Sequence, residues 1–251
     1  MPEKKIEYIK NFVKNGGNLI SSFETSLYDG DGKRLNDFQL SDIFGVNFNG
    51  KIFLLDMWDY IYPVNQKTFF KGITKKFLPS TECGIEIKVK TGNPLIYFYE
   101  KLKGCYDGIP KVSNLPFLIL NKYGKGNSIY IAGNFGGTYY KYRFPEYKLL
   151  VKNICDLFSK RLIKIEDEWI EAILREKDNK IYLHLINLTT GLKRPITYIK
   201  KIENLKIDIF LKFKFAKTIF SNKKIKIEKH KDFITFTLSE FYEYEVICFE
   251  K

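Results

Sequence analysis

Histidine and cysteine are both scarce in this chain of 251 residues: it has two histidines, His184 and His230, and four cysteines, Cys83, Cys105, Cys155 and Cys248. The cysteines lie far apart with no CxxC pair, so their spacing gives neither a zinc site nor a disulfide framework, and they read as buried or incidental thiols. With two histidines a histidine-rich metal centre is not expected, and no cofactor is either. Long apolar runs are also missing. No stretch reaches the roughly 20 apolar residues that a bilayer span needs. The opening Met1-Pro2-Glu3-Lys4-Lys5 leads into an amphipathic pattern instead of a signal-peptide core. These absences predict a cytoplasmic chain with no membrane partner.

Hydrophobic residues make up 45% of the chain and aromatics 16%, enough for a packed core. The formal net charge is +13, which invites a nucleic-acid reading. The excess is nevertheless spread along the chain: residues 1–158 carry 22 basic and 15 acidic side chains, residues 159–251 carry 20 and 14. No basic arm stands out, and Lys far outnumbers Arg, the residue that bidentate phosphate and base contacts favour. The charge therefore reads mainly as a solvated surface, with non-specific nucleic-acid binding as a remote alternative.

Along the chain, Ile6, Ile9 and Val13 form one stripe that ends at Asn15-Gly16-Gly17, the pattern of a helix and its stop. A short apolar strand, 18–23, follows at once, giving an α/β unit. Asp29 and Asp31 resemble the start of a calcium loop, but the later acidic positions are lacking and a plain turn is expected. A short helix around 38–44 closes at Gly45. Residues 51–79 are aromatic and irregular, with Trp58, Tyr60, Tyr62, Phe69 and Phe70 as candidates for a sugar-stacking platform or an interface; a loop packed on its own core is the plainer alternative. Strands are expected at 84–89, 95–99, 117–122 and 128–132. The last two are joined by Tyr123-Gly124-Lys125-Gly126-Asn127, which reads as a hairpin because a strand, and not a helix, follows the Gly-Lys-Gly. A helix starts after Pro145.

From about residue 164 the texture becomes short alternating strands with tight turns, at 169–175, 180–188, 205–213, 216–220, 224–228, 233–238 and 243–249. This predicts an antiparallel β-sandwich over 165–251, after an α/β domain over 1–160. His184 falls inside a strand and His230 in a basic hairpin end, and both read as structural. Asn187-Leu188-Thr189 matches a glycosylation sequon to which a chain without a secretion signal gives little meaning.

The order of landmarks "YIKNFVKNGGNLISSFETSLYDGDGKR", "LSDIFGVNF", "YGKGNSIYIAGNFGGTYY", "LHLINLTTG" and "FYEYEVICFEK" resembles the C-terminal part of glycoside-hydrolase-like proteins. There a catalytic barrel is followed by a class I glutamine amidotransferase-like, flavodoxin-like domain, similar to the beta-galactosidase trimerisation domain, and then by a small β-sandwich. The resemblance implies α/β plus all-β architecture: a truncated flavodoxin-like α/β domain and a sandwich. Neither the barrel nor the glycosidase carboxylates are carried over by it. Amidotransferase chemistry needs a cysteine on a tight strand exit, and the comparable exit reads Ile20-Ser21-Ser22-Phe23-Glu24-Thr25.

The function expected is a non-catalytic accessory or oligomerisation protein, a fragment of a split gene being one origin. Its partners would be further copies of itself, with a trimer favoured, or a separately encoded catalytic glycoside-hydrolase chain, and carbohydrate is a candidate ligand. The rival is a glycosidase-type hydrolase using Asp56, Asp59 or Glu24, the first two flanking Trp58 in the aromatic segment. Glycosidic cleavage needs two carboxylates about 5–10 Å apart, one of them kept protonated.

Overall fold

A computed structural model describes the chain except residues 57–58, 64–67, 105, 107, 109, 168, 191–194 and 251 and the side chain at 63. The chain divides into two compact units, Met1–Ser159 and Lys160–Lys251, each with its own hydrophobic core.

In the first unit, α1 (Glu3–Lys14) buries Ile6 and Val13 and carries Glu3 in its first turn and Lys14 in its last, each complementing the helix dipole. It ends in a Schellman motif: Gly17 N–H donates to Phe12 O at 2.9 Å and Gly16 N–H to Val13 O at 3.0 Å, with Gly16 at φ +112°. Strand β1 (Asn18–Ser22) follows, then α2 (Ser41–Phe44), which stops at the left-handed Gly45. Strands β2 (Val46–Leu54), β3 (Tyr60–Pro63), β4 (Leu78–Pro79), β5 (Cys83–Val89), β6 (Asn93–Tyr99), β7 (Val112–Tyr123) and β8 (Gly126–Ile131) come next, then α3 (Phe135–Tyr142) and α4 (Pro145–Phe158).

One sheet runs β1-β8-β7-β6-β3-β4, and β2 pairs with β5 in a sheet of their own. Strand β1 is parallel to β8, whereas the other pairings of both sheets are antiparallel. The α/β character lies at that one parallel pair, with α1 before β1 and α3 and α4 after β8; the rest is antiparallel. Apolar runs such as Phe117–Ile119, buried on both faces of β7, suit a central strand of either direction, so the sequence pattern does not decide it. The β7–β8 hairpin turns as expected, with Tyr123 opposite Gly126 and Gly124 at φ +60°. Asn121 ties α2 to the sheet, its Nδ2 donating to Asp42 O at 3.0 Å and Ile43 O at 2.8 Å.

Segment 51–79, read from sequence as irregular, holds the end of β2 and the short β3 and β4, and α3 was not anticipated. At 29–33 the turn is an Asx-turn: Asp29 Oδ1 accepts from Asp31 N–H at 3.0 Å and Lys33 N–H at 2.8 Å.

The second unit contains β9 (Ile163–Ile165), β10 (Ile170–Lys177), β11 (Lys180–Asn187), β12 (Ile202–Ile209), β13 (Phe215–Thr218), β14 (Glu228–Lys229), β15 (Ile234–Phe241) and β16 (Tyr244–Glu250). They form two four-stranded antiparallel sheets, β10-β11-β16-β13 and β14-β15-β12-β9. Alternation in β11 points Ile181, Leu183 and Leu185 into a core that they share with Ile207, Ile209, Phe236 and Leu238 of the other sheet, which makes a sandwich. The β10–β11 turn places Asp178 and Asn179 at φ +50° and +58°, the type I′ geometry that matches strand twist.

His184 Nδ1 hydrogen-bonds the Tyr244 hydroxyl, and His230 stacks on Phe233 with ring centroids 4.4 Å apart. Asn187 is buried; its Nδ2 donates to Lys200 O at 2.7 Å and Tyr242 O at 2.6 Å. The sequon asparagine is thus a strut of the sandwich.

Candidate functional site

A cleft of about 610 Å³ opens in the first unit where β2 and β5 part. Its walls are Leu54–Asp56 leaving β2, Pro79–Cys83 entering β5, and Tyr142 and Phe144 at the α3–α4 junction. Leu55 N–H donates to Glu82 O at 2.9 Å, holding the first two walls together. The third is clamped on by α3: Glu82 N–H donates to Thr138 Oγ1 at 3.1 Å. The left-handed Arg143 at φ +55° ends α3, and Pro145 starts α4 with its fixed φ. The Tyr142 and Phe144 rings on either side of Arg143 stack at 5.4 Å between centroids and 16° between planes.

Two carboxylates line this cleft. Asp56 pairs with Lys101 at 3.1 Å. Glu82 Oε1 accepts from Lys141 Nζ and, at 2.9 Å, from the Tyr142 hydroxyl. The Lys141 hydrogen bond, then that of Tyr142, holds the Glu82 carboxyl below the usual glutamate range. Beside it the Cys83 thiol is pushed up, by burial first and then by the charges of Glu82 and Glu24, so it stays protonated and is a poor nucleophile. Ser80 is 7% exposed, and its hydroxyl has no hydrogen-bond partner among the described residues.

The residues singled out from sequence are placed as follows. Asp59 is 3% exposed and sits behind the cleft; Oδ2 accepts from Asp56 N–H at 2.7 Å and Oδ1 from Leu102 N–H at 3.2 Å, while its carbonyl accepts from the lining residue Ser80. Glu24 lies in the turn after β1 and accepts the Tyr28 hydroxyl at 2.8 Å. That turn begins at Phe23, held at φ +53°. Asp56 therefore lines the cleft, Asp59 braces the backbone beside it, and Glu24 is not among its lining residues. Trp58 lies outside the described residues.

Among the aromatics, Tyr60 and Tyr62 join a ring cluster with Phe77 and Tyr99, at centroid distances of 5.8 Å for Tyr60–Phe77 and 5.6 Å for Tyr62–Tyr99. Phe69 is buried and Phe70 packs against the core, and the carbonyl of Phe69 accepts from Asn153 of α4 at 2.8 Å. The sequence reading missed Glu82, Lys101, Lys141 and Tyr142. Nothing local marks them, because Lys141 reaches Glu82 across 59 positions of chain. Among the described residues no group of three or more His, Cys, Asp or Glu could hold a metal ion, and no helix is long and apolar enough to cross a membrane.

A carboxylate held ionised by an ammonium and a phenol accepts hydrogen bonds well and donates a proton badly. Glu82 in this cleft is therefore a hydrogen-bond acceptor. Residues 2–157, which contain it, match the lacto-N-biose phosphorylase central domain. The chain belongs to this family.

The fold of this family member over its whole length is also that of parts of glycoside hydrolases. Alpha-L-fucosidase isoenzyme 2 from Paenibacillus thiaminolyticus is similar with a TM-score of 0.69 and 15% identity, over 100% of this chain and 39% of that one. Beta-galactosidase from Bacillus circulans sp. alkalophilus gives 0.63 and 16%, over 99% of this chain and 31% of that one. A catalytic mutant of Gan42B, a GH42 beta-galactosidase from G. stearothermophilus, gives 0.60 and 17%, over 100% and 30%. The chain thus spans between 30% and 39% of the length of these enzymes. No curated protein matches it.

Proposed function

We propose that this chain is a non-catalytic accessory module of a glycoside-hydrolase-type system, working by assembly in the cytoplasm, either with copies of itself as a trimer or with a separate catalytic chain. The first unit is read here as a reduced flavodoxin-like domain of the trimerisation kind. The observation that carries the reading is the commitment of its acidic side chains: Asp59 braces two backbone N–H groups, Asp56 is paired with Lys101, and Glu82 is held ionised by Lys141 and Tyr142. A hydrolytic pair needs one carboxylic acid kept protonated, and Glu82 is shifted the opposite way.

Assembly is supported by β1, an edge strand paired only with β8 among the described residues, and by Tyr8 and Phe12 of α1, which are 64% and 58% exposed. Open edges and exposed apolar rings are surfaces that proteins usually cover.

Light scattering behind a sizing column, at two protein concentrations and two salt levels, tests the reading together with hydrolysis of aryl glycosides. A closed oligomer without hydrolysis is the expected result. A monomer under all conditions that hydrolyses an aryl glycoside, with loss of activity in Asp56→Asn protein, would replace it with the hydrolase reading.

A further inference from the structure

The cleft between β2, β5 and the α3–α4 junction has a chemistry of its own. Two carboxylates line it, Asp56 and Glu82, and each is paired with an ammonium, Lys101 and Lys141 respectively. A hydroxyl group placed beside such a pair donates to the carboxylate and accepts from the ammonium together, which water-like polyols can do and a simple anion or cation cannot. Because each pair is internally neutralised, neither sign of net charge on a ligand is favoured. The same cleft carries the stacked Tyr142 and Phe144 rings and the exposed Leu54, apolar surfaces suited to the C–H face of a sugar ring. The volume of about 610 Å³ falls in the range typical of small-molecule sites.

We infer that this cleft binds a neutral mono- or disaccharide, with Asp56 and Glu82 accepting from ring hydroxyls and Tyr142 forming an apolar wall. This goes beyond the assembly reading and does not depend on it: a monomer that binds sugar overturns only self-assembly, and an oligomer that binds none overturns only the inference.

The test is titration of the full-length, ¹⁵N-labelled protein with galactose, L-fucose and lacto-N-biose, with inorganic phosphate as an anionic probe. Dissociation constants near 1 mM are expected for at least one sugar, with amide shifts concentrated at 54–56, 80–83 and 142–144. Glu82→Gln should weaken that binding about tenfold or more, since a hydrogen bond to a charged acceptor becomes a neutral one. Asp56→Asn should act in the same direction. Asp42→Asn, which breaks a surface pair with Lys90 outside the cleft, should leave binding unchanged and controls for charge alone. Three results would each overturn the inference: no cleft shifts at about 20 mM of any sugar, shifts confined to other regions, or phosphate binding in place of sugar. Unchanged affinity in folded Glu82→Gln and Asp56→Asn proteins would overturn the assigned contacts.

Discussion

Asp56 and Asp59 are three positions apart in sequence, yet their surroundings predict opposite responses to the same substitution. Asp59 is 3% exposed, and each carboxylate oxygen accepts one backbone N–H, from Asp56 at 2.7 Å and from Leu102 at 3.2 Å. In Asp59→Asn one oxygen becomes an NH₂ group facing an N–H donor, so one bond is lost and the other loses its charge. With hydrogen bonds to charged groups worth about 1.5–3 kcal/mol, the expected cost is roughly 2–4 kcal/mol. At about 2–4 °C per kcal/mol for units near this size, that lowers the melting temperature of the first unit by about 5–15 °C. Asp56 is half-exposed and its carboxylate pairs with Lys101 at 3.1 Å; Asp56→Asn should cost no more than about 1 kcal/mol. Scanning calorimetry on both variants measures the contrast, the second unit serving as an internal reference. An Asp59→Asn protein as stable as the wild type, or more stable, would show that the buried charge is a burden and not a brace. That outcome would reopen Asp59 as a group kept for chemistry.

Two further predictions follow from the same unit. A Cβ on Gly126 would run into the carbonyl oxygens of Gly17 and Val13, both backbone and unable to swing aside, so Gly126→Ala should destabilise the unit by about 3 kcal/mol in chemical denaturation. The Glu82 carboxyl titrates below its ordinary value in the folded chain, first because of Lys141; its contribution is complete above the ordinary glutamate range and is lost as pH falls through the folded value. The melting-temperature difference between wild type and Glu82→Gln should therefore be constant near neutral pH and close in acid, and a difference that widens in acid would contradict the pairing.

How much was legible in advance differs between elements for physical reasons. The sandwich strands of the second unit could be read because alternation is a local signal: Ile181, Leu183 and Leu185 fall on one face whatever pairs with β11. Helix α1 was legible for the same reason, its stripe ending at two glycines. Strands β3 and β4 were not, being four and two residues long and interrupted by prolines. Helix α3 was hidden by its two glycines, Gly136 and Gly137, which weaken helix propensity; its Asn134 cap, accepting from Gly137 N–H at 3.2 Å, was the signal available.

The candidate site divides in the same way. Asp56 was picked from sequence by its aromatic neighbours, but its role could not be told from that of Asp59. Burial and backbone donors separate the two, and those are tertiary facts. Glu82 acquires its character from Lys141 and Tyr142, which α3 delivers from the far side of β6, β7 and β8 in the chain.

Composition and periodicity by themselves determined a chain with a substantial core, a helix-and-strand start, a β7–β8 hairpin and an antiparallel sandwich, because each of these depends on residues a few positions apart. Only the tertiary structure decided that the first sheet has a single parallel pair, that Asp59 is a brace, and that Asp56, Ser80, Glu82 and Tyr142 meet around one cleft. Those outcomes depend on which strands pair and which helix lies against them, and loop closure across tens of residues leaves no periodic trace in the sequence.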